Sequence, residues 1–250
     1  MAGKGGSRKK KKNSGSIYVT VIVALMLLAA IFGLSVFFNI SDINVVGAGM
    51  YTDQQVVAAS GIELDGSIFF LSQSSAAVKI KDALSYVDEV RIIRDLPGTI
   101  TIEVTESLPV AALSYEGNYW VIDKNAKILE KTNSQGASKA VKLMGIEPIM
   151  PVEGDSLALG DAGAVQLTYL KNVLSGLVKA GIYEDITWLD MRNISSIKFD
   201  YMDRFTVDLG TGEDVDDKLW MLEKVVEDRS SNEKGTINVS KLNEGHFVED

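Results

Sequence analysis

The run IYVTVIVALMLLAAIFGLSVFF, from Ile17 to Phe38, contains no charged residue and constrains the chain more than any other segment. As a helix rising about 1.5 Å per residue it spans about 33 Å, enough to cross a hydrocarbon core of about 30 Å. A cleaved signal peptide is the competing reading, because it too joins a basic start to an apolar stretch. The run is longer than the roughly 7–15 residues of a signal core, and the FFNISDINVV that closes it lacks a small-x-small cleavage pattern. The sequence therefore predicts an uncleaved transmembrane helix over residues 17–38.

Charge is divided sharply across that run. Lys4, Arg8, Lys9, Lys10, Lys11 and Lys12 precede it, which leaves 19 of the 25 basic residues against all 34 acidic ones beyond it, a formal charge of −15. The positive-inside rule then sets residues 1–16 in the cytoplasm and 39–250 outside it, a type II single-pass topology. Residues 1–16, rich in Gly, Ser and Lys, are expected to be a disordered tail that can lie on anionic membrane lipid. A nucleic-acid partner fits poorly, because the acidic remainder would repel phosphate. The chain has no cysteine, so disulfides, a thiol nucleophile and thiolate metal sites are excluded.

Beyond the anchor, Ile43, Val45 and Val46 read as a strand broken by Gly47 and Gly49. Thr52 with Gln55 fits a capping box for a short helix that Gly61 would close. A second amphipathic helix is expected over Ser74–Val87, and Ile100, Ile102 and Val104 alternate with Thr101, Glu103 and Thr105 as a half-buried strand. Pro97-Gly98 should turn the chain before it, with glycine taking a positive φ. The pattern is β-α-α-β-β over about 40–106.

After Leu108-Pro109 come short strands, VAALSY, YWVID and KILEK, joined at Gly117-Asn118 and Lys124-Asn125. TNSQGASK, 132–139, reads as an exposed loop, followed by the strand AVKLMG. Leu167, Leu170, Leu174, Leu177 and Val178 mark a helix ending near Gly181. Strands at Ile186–Leu189, Ser196–Phe199 and Arg204–Gly210, a helix over about Val215–Asp228, a last strand TINVS and a tail KLNEGHFVED complete the chain. The fold class is α+β: the anchor, a small domain over 39–107, and a larger mixed α/β domain over 108–250 built on an antiparallel-rich sheet.

Catalytic chemistry finds little support. His246, the single histidine, has no second histidine or cysteine to complete a metal site or a triad. Ser195-Ser196-Ile197-Lys198 matches S-x-x-K, which would suit an anchored cell-wall enzyme, but its flanks Ile194, Ile197 and Phe199 are strand-like where a helix is required. The acidic DLGTGEDVDD, 208–217, lacks the ligand spacing of a calcium loop and reads as a solvated turn into a helix. No phosphate-binding loop or nucleophile elbow occurs, so no catalytic residue, cofactor or metal is expected.

Five segments in order resemble the FtsQ/DivIB family of bacterial division proteins. INVVGAG at 43–49 resembles its first POTRA strand, and VRIIRDLPGTITIEVTESLP at 90–109 its hairpin and exit. WVIDKNAKIL at 120–129 is similar to a family motif with Ala126 in place of glycine. FTVDLGTGEDVDDKLWML at 205–222 and GTINVS at 235–240 are similar to two more, the latter with Asn238 for aspartate. The resemblance implies a POTRA-like domain, a β domain and a non-enzymatic scaffold at the division septum. It further implies FtsB/DivIC-like and FtsL-like partners, the former received by strand addition along Thr236–Phe247. Lys241, Leu242, Asn243, Gly245 and Phe247 are the contact candidates; Leu242 and Phe247 could equally pin the C-terminus to the core. A POTRA-containing secretion component is a weaker alternative, because no series of barrel strands follows.

Overall fold

The alternation of Ile100, Ile102 and Val104 is resolved into structure at the centre of a three-stranded sheet. The computed structural model describes residues 14–160, 163–242 and 244–249, with the side chains of 14–17 and 34–36 also outside its description. It begins with α1, Ser14–Phe37, which starts before the apolar run and takes in Ser14, Gly15 and Ser16, expected in the tail. The rest of the expected tail, up to Asn13, lies outside the described residues. Among the described residues no helix is long and apolar enough to cross a membrane; the stretch of α1 with described side chains, 18–33, is by itself shorter than the ~20 residues a span requires.

The order β1 (Asp42–Val46), α2 (Asp53–Ser60), α3 (Gln73–Ala83), β2 (Val87–Asp95), β3 (Thr99–Glu106) matches the expected β-α-α-β-β. β3 lies between β1, parallel to it, and β2, antiparallel. The inward residues Ile100 and Ile102 join Val56, Ile68, Ile80 and Val87 in one core. Gln55 N donates to Thr52 Oγ1 at 3.3 Å while Thr52 N donates to Gln55 Oε1 at 2.9 Å, completing the capping box, and Gly61 closes α2 in the left-handed region.

Two local expectations are corrected. α3 stops at Ala83, Leu84 is extended, and Val87 opens β2 instead of ending the helix. Val87 is buried either way, so its apolar side chain could not distinguish the two readings. The second correction is at the turn before β3, where Gly98 does not take a positive φ; the Leu96–Pro97 peptide is cis. Glycine is needed there for close approach, since a Cβ would lie 2.5 Å from the Asn39 carbonyl oxygen.

The second sheet has nine strands: β4 (Ala111–Tyr115), β5 (Asn118–Ile122), β6 (Ile128–Thr132), β7 (Val141–Met144), β8 (Trp188–Asp190), β9 (Ile197–Tyr201), β10 (Phe205–Gly210), β11 (Gly235–Lys241) and β12 (Glu244–Glu249). Their spatial order is β12-β11-β10-β9-β8-β7-β4-β5-β6. Five of the eight neighbour pairs are antiparallel, and β10 with β11, β4 with β7 and β7 with β8 are parallel. Helices α4 (Ala164–Ala180) and α5 (Val215–Glu227) pack on this sheet, joining Leu170, Leu174 and Leu177 to Leu189, Phe199 and Val207. They approach closely at Gly176, where a Cβ would lie 2.6 Å from Val215 Cγ1.

The β4–β5 turn is Glu116-Gly117, both at positive φ, so Asn118 opens β5 rather than sharing the turn. The 132–139 stretch is not a plain exposed loop: Asn133 Oδ1 accepts from Gln135 N and Gly136 N, each at 3.0 Å, winding a short 3-10 turn that buries Ala137. Ala137 joins Ala112, Val121 and Leu129 in a second cluster, against which Tyr86 of the first sheet's unit packs. Burial and the nearby Glu130 carboxylate push the Tyr86 hydroxyl well above its ordinary range.

Candidate functional site at the C-terminal sheet edge

The last strands begin with β10, whose alternating Phe205, Val207 and Leu209 are buried. α5 then crosses to β11, which lies parallel to β10 from Phe205↔Gly235 to Asp208↔Asn238. A crossover is required because parallel neighbours cannot be joined by a tight turn. Lys218 anchors α5 from beneath: its buried Nζ donates to Thr211 O at 2.9 Å, and desolvation lowers its pKa. Arg204 ties the α5–β11 connection down, donating from Nε to Glu233 O at 3.2 Å and from Nη2 to Ser230 O at 2.5 Å.

The expected tail is in fact β12, an antiparallel partner of β11, so TINVS is not the exposed last strand. β11 is enclosed between β10 and β12, with Ile237 and Val239 fully buried. Within β11, Asn238 Oδ1 accepts from Ser240 N at 3.0 Å and Ser240 Oγ at 2.8 Å, a local turn where the register with β12 shifts between Asn238 and Lys241. Exposure alternates along EGHFVE, with Gly245 and Phe247 less exposed than their neighbours, although its residue types do not alternate and give no clear strand signal.

The contact candidates divide by position. Lys241 ends β11 and pairs at 3.6 Å with Glu244 across the hairpin, while Leu242 is half exposed at its tip. Asn243 lies outside the described residues. Phe247 packs edge-on against Phe205, ring centroids 6.0 Å apart, with the Arg229 guanidinium 5.1 Å from its ring. Gly245 sits under α5, where a Cβ would lie 2.5 Å from Val225 Cγ2. Phe247 therefore pins the strand to the core. Glu244, His246 and Val248 alternate with these two and are exposed, Val248 by 65 %.

Among the described residues no strand lies beyond β12. The opposite edge, β6, is covered: Ile128 N donates to Asp155 O and Gly154 N to Ile128 O, both at 2.8 Å, Leu157 N donates to Ala126 O at 2.8 Å, and Lys131 N donates to Glu153 Oε1 at 2.8 Å. An uncovered strand offers backbone donors and acceptors to another chain.

The residues considered for other chemistry have ordinary partners. Ser195 lies in a turn, its N–H donating to Asn193 Oδ1, and Lys198 lies on β9, 3.8 Å from Asp208, so the helix an S-x-x-K site needs is not formed there. Asp208 also accepts from Ser196 Oγ and Gly210 N, each at 3.0 Å, and Asp216 is paired with Lys179. His246 is part of β12, 3.7 Å from Glu244.

A three-stranded unit of two helices on a β1-β3-β2 sheet, leading into a large mixed sheet, defines a POTRA-bearing protein. A family profile described as "POTRA domain, FtsQ-type" matches residues 38–107. The cell division protein DivIB of Clostridium botulinum is 27 % identical over 217 residues, covering 85 % of this chain and 81 % of the relative. DivIB of Clostridium acetobutylicum is 28 % identical over 208 residues, covering 82 % and 80 %. The cell division protein FtsQ of Corynebacterium glutamicum is 30 % identical over 115 residues, covering 44 % and 51 %. The chain carries an FtsQ-type POTRA domain and resembles the FtsQ/DivIB family of cell-division proteins over most of its length. Ala126, which stands where the family motif has glycine, has φ +59°, in the left-handed region that glycine enters without strain.

Proposed function

We propose that the chain is a non-enzymatic, single-pass scaffold of the division septum, with residues 39–107 and 108–250 as separate extracytoplasmic domains. α1 is its membrane anchor: 24 residues of helix extend about 36 Å, and the uncharged Ile17–Phe38 run lies within one residue of its end. Six cations on one side orient residues 1–16 to the cytoplasm.

The observation that carries the binding reading is the outer side of β12, which is uncovered among the described residues. A segment of an FtsB/DivIC-like partner, held with an FtsL-like protein, adds there as a further strand. Each backbone hydrogen bond contributes about 0.5–1.5 kcal/mol net, and side chains beside Leu242 and Val248 supply apolar contact. Lys241, Leu242 and Asn243 serve as contacts at the hairpin tip, while Gly245 and Phe247 hold the strand in place for its partner.

The test is the affinity of the full chain for the extracytoplasmic segment of such a partner. The double variant Leu242→Asp, Val248→Lys changes two exposed side chains, so it should keep its melting temperature and bind about tenfold more weakly or worse. Parental affinity in that variant would move the interface elsewhere.

A further inference from the structure

The anchor-proximal end of the three-stranded unit carries an apolar surface that its own core does not use. Phe69 is 56 % exposed and Phe70 91 %, on the loop before α3, and Leu64 stands exposed at the loop's start. Leu96, 59 % exposed, occupies the neighbouring β2–β3 turn. Both loops are fastened to the residues that follow α1. Ile68 N donates to Phe38 O at 3.1 Å, Ile40 N to Gly66 O at 2.8 Å and Asp65 N to Ile40 O at 2.8 Å. Ser41 N donates to Gly98 O at 2.8 Å, reinforced by Ser41 Oγ at 3.2 Å. The Phe38 ring lies 5.2 Å from Phe37 and 5.1 Å from Phe69, so an aromatic series runs from the helix end into the loop.

We infer that Phe69, Phe70 and Leu96 form a lipid-contacting foot that seats the first domain on the outer leaflet. This rests on the reading of α1 as a membrane anchor. If α1 ends at the membrane surface, loops bonded to Phe38, Ile40 and Ser41 share that depth, where aromatic and apolar side chains are favoured. Exposed apolar side chains gathered on two loops that are bonded to the same segment, 38–41, suit a contact surface better than solvent. The contact is apolar rather than electrostatic, because the nearby Glu63, Asp65 and Asp95 are acidic and would hold the loops at the headgroup level. Seating both loops fixes the tilt of the domain relative to α1.

The absence of cysteine makes single labelling sites available. The full chain, carrying an environment-sensitive fluorophore at Phe70→Cys, Leu96→Cys, Leu27→Cys or Trp220→Cys, is reconstituted in phosphatidylcholine vesicles with a nitroxide quencher near the glycerol level. Labels at Phe70→Cys and Leu96→Cys should lose emission roughly twofold, as expected of interfacial groups, while Trp220→Cys stays unchanged. Adding Phe70→Ser should reduce the quenching at Leu96→Cys. A Leu27→Cys label that emits as in hydrocarbon, with no quenching at Phe70→Cys or Leu96→Cys, would overturn the foot and leave the anchor reading standing; a Leu27→Cys label that emits as in water would overturn both. Quenching at Leu96→Cys that ignores Phe70→Ser would also contradict the proposal.

Discussion

The two edges of the nine-stranded sheet are built in opposite ways. At β6 the chain returns on itself, and residues 153–157 occupy the outer backbone groups of Ala126, Ile128 and Lys131, with Leu157 driven into the core as the fastener. At β12 nothing comparable happens among the described residues. Instead the strand is stiffened from one face, by Phe205 and Arg229 against Phe247 and by α5 over Gly245. Covering an edge is the ordinary protection against unwanted pairing. A strand held rigid yet left uncovered suits a docking edge, because ordering cost on binding is low.

Substitutions can sharpen this contrast. The largest effect is expected from Val239→Pro in the enclosed β11, which removes a ladder donor from a fully buried position and should cost about 3 kcal/mol or more in chemical denaturation. Val248→Lys on the exposed face of β12 should stay within about 0.5 kcal/mol of the parent. Next comes Leu157→Ala, about 2–4 kcal/mol by loss of buried volume. It should also loosen the cover of β6 and promote self-association, visible by sedimentation. If Leu157→Ala melts like the parent, the cover is not what closes that edge. Gly245→Val should cost about 1–3 kcal/mol by crowding α5, lowering the melting temperature and weakening partner binding together.

The smallest effect involves Asp123, at the turn into β6. Its Oδ1 accepts from Asn125 N and Lys127 N, each at 2.8 Å, yet burial raises its pKa above the ordinary carboxylate value. The folded state thus binds this proton more readily than the unfolded one. The group favours folding at low pH, and that contribution is lost as pH rises through the ordinary carboxylate range to the raised value. Asp123→Asn keeps an acceptor and removes the buried charge, so its melting temperature should slightly exceed the parent's at neutral pH, the difference vanishing in acid. A gain that persisted at low pH would point to packing instead.

Much of this architecture was legible in residue patterns. The capping box at Thr52, the closing glycines at 61 and 181 and the alternation through β3 and β10 each have a local cause, so neighbouring residues sufficed to find them. What escaped depends on distant approach. Gly98 is small because Asn39 comes near, and the 132–139 segment folds inward because a sheet face awaits Ala137. TINVS, expected as the last strand, is enclosed, and the sheet ends one strand later at β12. TINVS has the composition of a strand, whereas EGHFVE becomes one through pairing with β11 and packing beneath α5, neither visible in its own composition. The sequence leaves Phe247 two possible roles, and its packing on Phe205 supplies the structural one.

Hydrogen exchange of the full chain, with and without the extracytoplasmic segment of an FtsB/DivIC-like partner, tests the open-edge account most directly. Strand addition predicts that amides within Glu244–Glu249 slow by about tenfold or more, equivalent to roughly 1.4 kcal/mol of added protection, while those of Ile128–Thr132, already covered, do not change. Unchanged exchange along Glu244–Glu249 with new protection elsewhere, for instance across Asp42–Glu106, would contradict it.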